Sequence, residues 1–155
     1  MQTNFDCEAF IVRKDSIYLF TKQWLDSQTT VYAFPKKPGT HVAKRIESFD
    51  TKGLVTGATY LEAQRMVVLC GYNTMMHPFL YLFYNYRQDK FFSGNKRRVE
   101  LSMPFHQVEG ITTCDGFTYH ISSEAFLHEP YVKNLQEMHV FDLKDIFNVS
   151  AGVEK

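Results

Sequence analysis

A two-strand unit that recurs at nearly constant spacing is the feature that most constrains what this chain can fold into. Three matching positions stand at offsets of 49 and 52 residues, namely Ala9, Ala58 and Gly110. Each is followed, after 13 or 14 residues, by the end of a second strand, at Lys22, Gly71 and Glu124. Because self-similarity at a fixed period is the signature of repeat architectures, the sequence predicts three copies of one supersecondary unit.

Each unit begins with a hairpin and continues into further strands. In the first, AFIVRKD and SIYLFTK are predicted to pair around the turn Lys14-Asp15-Ser16. Since the first and last residues of an antiparallel hairpin lie side by side, we expect Glu8 and Lys22 at the same end. The units span residues 5–50, 54–103 and 106–147, and the third lacks a fourth strand. We expect the N-terminal MQTNF to supply it, in the same chain or in a second copy.

Four short strands per roughly 50 residues are typical of a β-propeller blade. The sequence therefore predicts one all-β domain over residues 1–155, a partial β-propeller of about three antiparallel blades. An aromatic content of 15% favours strands, and only LKDIFN (143–148) is expected to form a helical turn. The alternative is a β-sandwich of about eleven strands.

The predicted core follows from blades that pack face to face, which buries both faces of a sheet. Nine aliphatic positions are expected to be largely buried, namely Ile11, Ile17, Leu19, Val67, Leu69, Leu80, Leu82, Ile111 and Ile121.

Polar residues recur where the first hairpin of each unit ends. In a propeller the first strand of each blade lines the central channel, so these residues are expected to share one channel mouth. Convergent polar groups at a concave surface are a binding-site hypothesis. The predicted ligand-binding residues are Glu8, Lys22, Thr56, Gln107, Glu109 and Glu124.

Carboxylates dominate this predicted mouth, and three interpretations of them stay open. They are hard oxygen ligands that suit calcium, and the predicted metal ligands are Asp6, Glu8, Glu109 and Glu124. In the interpretation that we favour, they pair with Lys22 and backbone amides to close the channel. In the third interpretation Glu109 or Glu124 is a catalytic acid or base.

Charge and hydropathy exclude several classes of partner. Lys plus Arg and Asp plus Glu both number 17, so no global field attracts nucleic acid, and Lys96-Arg97-Arg98 is interpreted as a solvated strand edge. No apolar run approaches the roughly 18 residues of a membrane helix, and no signal peptide is visible. We expect a cytoplasmic protein as written, or a secreted or periplasmic one if the chain is a fragment of a longer precursor.

The cysteines and histidines show no site-forming spacing. Cys7, Cys70 and Cys114 lack CxxC or CxxH patterns and are expected to be buried free thiols. His120 is interpreted as a packed strand residue, and His106 as a residue that reaches the mouth. The remaining histidines are assigned to surface or loops, namely His41, His77, His128 and His139. GxSxG, HExxH and Gly-rich phosphate motifs are absent.

The segments DCEAFIV…IYLFTK, GLVTGATY, QVEGITT and ISSE resemble uncharacterised bacterial secreted propeller-like proteins. They are also distantly similar to the SdiA-regulated and esterase-like phytase propellers, in which EGI opens a blade and SxE closes its first hairpin. The likeness spans nearly the whole chain as the C-terminal part of a longer protein. It implies channel-mouth positions for Glu8, Glu109 and Glu124, a calcium ion there, and a signal peptide and further blades upstream.

These patterns favour a binding or interaction module over an enzyme. The alternatives are a phosphoester or ester hydrolase with Glu109 or Glu124 as base, and an inactive fragment of a longer propeller protein. Because three blades cannot close a ring and open blade faces are apolar, we expect a homodimer that completes a six-bladed ring, or a need for missing N-terminal blades.

Overall fold

The chain folds into short antiparallel β-sheets. The structure, a computed structural model, describes residues 4–148, without the side chains of residues 147 and 148. In that part of the chain the strands are β1 (Asp6–Arg13), β2 (Ser16–Lys22), β3 (Gln28–Pro35), β4 (Lys44–Asp50), β5 (Leu54–Leu61), β6 (Met66–Tyr72), β7 (Pro78–Tyr84), β8 (Asn95–Glu100), β9 (Gln107–Thr113), β10 (Thr118–Glu124), β11 (Phe126–His128), β12 (Val132–Asn134) and β13 (Glu137–Asp142). The all-β prediction is confirmed.

The first and second predicted units each contain one sheet, and the third contains a three-stranded sheet and a two-stranded one. The first sheet has the order β1-β2-β3-β4 and the middle sheet the order β5-β6-β7-β8. The third sheet has the order β13-β10-β9, with the β11–β12 hairpin inserted between β10 and β13. In the first and middle sheets consecutive strands thus pair as simple meanders, as short connections favour.

Two short helical turns complete the described elements. A 3₁₀ turn (Phe91–Ser93) places two buried phenylalanines in the first core. The turn predicted after the last strand is present as α1 (Lys144–Asn148). It begins where the Asp142 carboxylate accepts a hydrogen bond from the Lys144 amide at 2.8 Å, as a helix N-terminus requires.

The middle sheet lies between the other two and is covered on both faces. One face packs on the first sheet through a core that includes Phe20, Val31 and Leu69. The other packs on the third sheet through a core that includes Val68 and Tyr119. All seven residues of β6 are buried, because a strand at the centre of a face-to-face stack has no exposed side.

Six of the nine predicted core residues are buried, and three are only half-buried. In β2 the inward positions are Tyr18 and Phe20, whereas Ile17 and Leu19 lie on the outer face of the first sheet. The first sheet ends the stack, so only one of its faces is covered. Ile111 contacts the second core from the third sheet and stays partly exposed.

The prediction for the cysteines was wrong at two of three positions. Cys70 is buried, whereas Cys7 and Cys114 are exposed, and all three are free thiols. Burial raises the pKa of the Cys70 thiol to about 12, so this thiol is neutral and unreactive near neutral pH.

The predicted role of the N-terminus as a fourth strand falls partly on residues 1–3, which lie outside the described residues. Within residues 4–148 the third sheet has three strands. Asn4 contacts the β2–β3 loop instead, where its side chain accepts a hydrogen bond from the Leu25 amide at 3.0 Å and donates one to Asp26 at 3.2 Å.

Candidate functional site

In the first, middle and third sheets, the first strand carries a β-bulge at its third residue. The extra residue is Glu8 in β1, Thr56 in β5 and Glu109 in β9. A bulge leaves one residue out of the pairing ladder and redirects its side chain. The three units thus share a redirected side chain, and the sequence alignment is one residue off in the middle unit, where Thr56 lies two residues before Ala58.

The bulges meet because the first strands are neighbours, with β5 between β1 and β9. The Thr56 hydroxyl donates a hydrogen bond to the Val108 carbonyl. A Cβ on Gly57 would lie 3.2 Å from the Glu109 carbonyl oxygen and 3.2 Å from Gly110 Cα. The absence of a side chain at Gly57 thus allows β5 to approach β9 closely.

Glu8 and Lys22 form an ion pair at the end of the first hairpin. Lys22 Nζ lies 2.8 Å from Glu8 Oε2, with the lysine side chain 5% exposed and that of glutamate 37%. Lys22 Nζ is also 4.9 Å from the Trp24 ring centroid and 5.6 Å from that of Tyr72, within cation–π range. Burial alone would lower the pKa of Lys22, but the Glu8 hydrogen bond and nearby negative charges raise it overall.

Glu109 joins this pair from the third sheet. Burial raises the pKa of its carboxyl to about 8. The positive charge of Lys22 opposes the rise, while a hydrogen bond with Glu8 and the charges of Glu8 and Glu124 add to it. At neutral pH Glu109 is therefore mostly protonated and donates its proton toward the Glu8 carboxylate.

We call this group the mouth cluster; it consists of Glu8, Lys22, Tyr72, Glu109 and Glu124. Four of the predicted ligand-binding residues thus come together. Gln107 lies beside them, with its side-chain amide 3.5 Å from the Tyr72 hydroxyl. Thr56 is fully buried, and its hydroxyl donates a hydrogen bond to the Val108 carbonyl. Thr56 therefore links β5 to β9 and is not accessible to a ligand.

The predicted calcium ligands are only partly grouped. Asp6 is the cross-strand partner of Lys22, and its carboxylate accepts a hydrogen bond from the Trp24 indole at 3.1 Å. No three of Asp6, Glu8, Glu109 and Glu124 bring ligand oxygens within 4.8 Å of one another in the described part of the chain. Because calcium takes six to eight oxygen ligands, this arrangement is a poor preformed calcium cage.

A second cluster, which was not predicted, lies at the end of the third sheet next to Gln107 and Glu124. His106, Glu137 and His139 have ligand atoms within 4.8 Å of one another, and among the described residues they alone do so in a group of three or more. His139 lies in β13 with its side chain 22% exposed, so its assignment to a loop or the surface was wrong. The Glu137-Met138-His139 alternation places two ligand-type side chains on one strand face, and this was the available sequence signal.

No family model, curated protein or solved structure matches the chain. No helix among the described residues is both long enough and apolar enough to cross a membrane.

Proposed function

We propose that the chain is a binding module built from three blades of a propeller-type fold, with the mouth cluster as its ligand site. Three features support this architecture: the meander order of the sheets, their face-to-face stacking and the adjacent first strands. The resemblance to propeller proteins of the SdiA-regulated and esterase-like phytase type is part of the same proposal.

The observation that carries the function is an imbalance of charge in the mouth cluster. Three carboxyl groups, those of Glu8, Glu109 and Glu124, interact there with one ammonium group, that of Lys22. The proton on Glu109 compensates for one of the two unbalanced negative charges. A ligand cation that took the place of this proton would leave the net charge of the cluster unchanged.

The ligand is therefore a small molecule with a positively charged group, and an ammonium fits better than calcium. An ammonium group has three N–H donors, some of which water can satisfy, and the carboxyl oxygens of Glu8 and Glu109, which interact directly, can accept the others. Calcium would require more oxygen ligands than these side chains bring together.

Calorimetric titration of the full chain with methylammonium chloride, and separately with calcium chloride, tests the proposal. Binding should tighten as the pH rises through about 8 and should release a proton from Glu109, which titrations in two buffers of different ionisation enthalpy detect. Glu109→Gln should weaken binding and remove the proton release. Glu62→Gln, an exposed carboxyl in the β5–β6 turn, is the matched control.

Saturable binding of methylammonium, lost in Glu109→Gln, supports an ammonium ligand. Tighter saturable binding of calcium at the same residue assigns the site to the metal ion instead. Absence of binding in both titrations, or binding unchanged by Glu109→Gln, would overturn the proposed site.

A hydrolase is the second candidate, because a carboxyl with a pKa near 8 suits general acid–base catalysis at neutral pH. In that role Glu109 would transfer the proton and Lys22 would stabilise developing negative charge. Assays with p-nitrophenyl phosphate and p-nitrophenyl acetate test it. Turnover that falls by about 100-fold or more in Glu109→Gln supports catalysis, whereas equal rates in the two proteins exclude it.

A further inference from the structure

The cluster of His106, Glu137 and His139 has the geometry of a metal site. Glu137 Oε2 lies 3.5 Å from His106 Nε2 and 3.3 Å from His139 Nε2. Zinc binds histidine nitrogen and carboxylate oxygen at about 2.0–2.2 Å in a tetrahedral arrangement, which places neighbouring ligand atoms about 3.3–3.5 Å apart. Both measured distances agree with that separation.

The ligands come from the two edges of the third sheet. Glu137 and His139 lie at alternate positions of β13, so their side chains share a face, and His106 directly precedes β9. β9 and β13 flank β10 on opposite sides. A metal ion held by all three side chains would therefore connect the two edge strands across the end of the sheet.

The hydrogen bond at His106 leaves the correct nitrogen free for a metal. His106 Nδ1 lies 2.9 Å from the Pro104 carbonyl oxygen. A carbonyl only accepts, so Nδ1 carries the hydrogen and Nε2 presents its lone pair toward Glu137 and His139. A metal-bound histidine typically donates its other ring N–H to a carbonyl or carboxylate in this way.

His139 supplies an independent observation. Its Nε2 atom is buried and, although Glu137 Oε2 lies 3.3 Å away, makes no aligned hydrogen bond within the described part of the chain. A buried polar atom without a partner costs about 1–3 kcal/mol. Coordination of a metal through Nε2 would satisfy this atom.

From this geometry we propose a zinc site formed by His106, Glu137 and His139. Two imidazoles and one carboxylate suit zinc, whereas calcium and magnesium prefer all-oxygen sites. Three protein ligands leave the fourth tetrahedral position for water. The Glu137 side chain is 49% exposed, so solvent can reach the site. The proposal involves none of the mouth-cluster residues.

The test is a titration of the full chain, first treated with a chelator, with cobalt(II) and then with zinc. Tetrahedral cobalt gives visible absorption bands that report the ligand geometry, and zinc should displace it at one equivalent per chain. His139→Ala should weaken zinc binding by about 10-fold or more, since it removes one of three ligands. Zinc should also raise the melting temperature of the wild-type protein, because it binds only the folded state.

His120→Ala is the matched control, since His120 lies in β10, paired with Val140 on the other face of the same sheet. It should keep full zinc affinity, as should Glu109→Gln in the mouth cluster. If His139→Ala does not fold, the half-exposed Glu137→Gln supplies the same test.

Absence of stoichiometric cobalt or zinc binding would overturn the proposal. Unchanged zinc affinity in a folded His139→Ala or Glu137→Gln variant would do so as well.

Discussion

At the scale of single residues, Glu109 is a group whose ionisation depends strongly on the fold. Its carboxyl has a pKa of about 8 in the folded chain against an ordinary value of 4.5. An acid whose pKa is raised by folding contributes stability that is complete below the ordinary value. That contribution decreases as the pH rises and is lost above the folded value.

The first prediction follows for Glu109→Gln, which keeps the shape and hydrogen-bonding capacity of the protonated acid but cannot ionise. The free energy of unfolding of the wild type should fall between about pH 4.5 and pH 8 relative to that of the variant. The difference should be about 1–2 kcal/mol, since solvent screens this half-exposed carboxyl. Urea unfolding of both proteins at about pH 5 and about pH 9 measures it.

Glu62→Gln is the control, because this exposed carboxylate lies outside the mouth cluster. A stability difference between Glu109→Gln and the wild type that does not change with pH would contradict the assigned protonation of Glu109.

At the scale of elements, position in the stack decides what a side chain contributes. Leu69 in β6 is fully buried between the first and middle sheets. Leu19 in β2 is only half-buried, on the outer face of the first sheet. The same substitution at these two positions therefore compares a covered sheet face with an open one.

The second prediction is that Leu69→Ala destabilises the fold by about 2–5 kcal/mol, through lost burial and the cavity left behind. Leu19→Ala should cost about 1 kcal/mol or less, as is usual for partly exposed positions. Chemical unfolding of the two variants and the wild type gives both values. A loss below about 1 kcal/mol for Leu69→Ala would place Leu69 outside the core.

At the scale of the whole molecule, the stack ends in two sheet faces that retain apolar side chains. On the outer face of the first sheet, Phe10 is 58% and Val12 44% exposed. On that of the third sheet, Met138 is 71% and Val140 60% exposed. Adjacent exposed apolar side chains on a sheet face are typical of interaction surfaces.

The third prediction is a homodimer in which the first sheet of each copy packs on the third sheet of the other, as two three-bladed halves of one ring. Two-fold symmetry forms both contacts at once, and the interface should exceed about 1,000 Å². Sedimentation at micromolar concentration should give twice the monomer mass. Phe10→Asp and Val140→Asp should each yield monomers.

Val42→Asp is the matched control, because Val42 is 87% exposed and lies in the β3–β4 loop, not in a strand of either sheet face. It should leave the dimer intact. A stable wild-type monomer would exclude the half-ring arrangement and favour a self-contained sandwich, whereas aggregation relieved by Phe10→Asp would indicate missing blades.

The repeat spacing predicted the strands and the grouping of the mouth cluster, because equivalent positions of stacked sheets are brought to the same end. It could not predict which face of β2 points inward. Ile17, Tyr18, Leu19 and Phe20 are all apolar or aromatic, so alternation along the strand gives no direction. The inward face of β2 depends on the position of the first sheet at the end of the stack, where only one sheet face is covered.

The cluster of His106, Glu137 and His139 could not be predicted from the sequence for a different reason. Its members are separated by the β11–β12 insertion, which interrupts the third unit. The contact therefore depends on how β13 returns to β10 after the insertion, and no repeat spacing describes that path. Because of the same insertion, the repeat spacing did not predict the strand order of the third sheet.

The three bulges also affect whether the neighbouring sheets can join edge to edge. β1, β5 and β9 are edge strands of their sheets, and edges that lie next to one another can join into one continuous ladder. An unpaired residue in each strand breaks the regular alternation of donors and acceptors that such joining requires. Thr56 also occupies the Val108 carbonyl with its side chain. The bulges that present Glu8 and Glu109 thus also keep three adjacent edges from fusing into a single flat sheet.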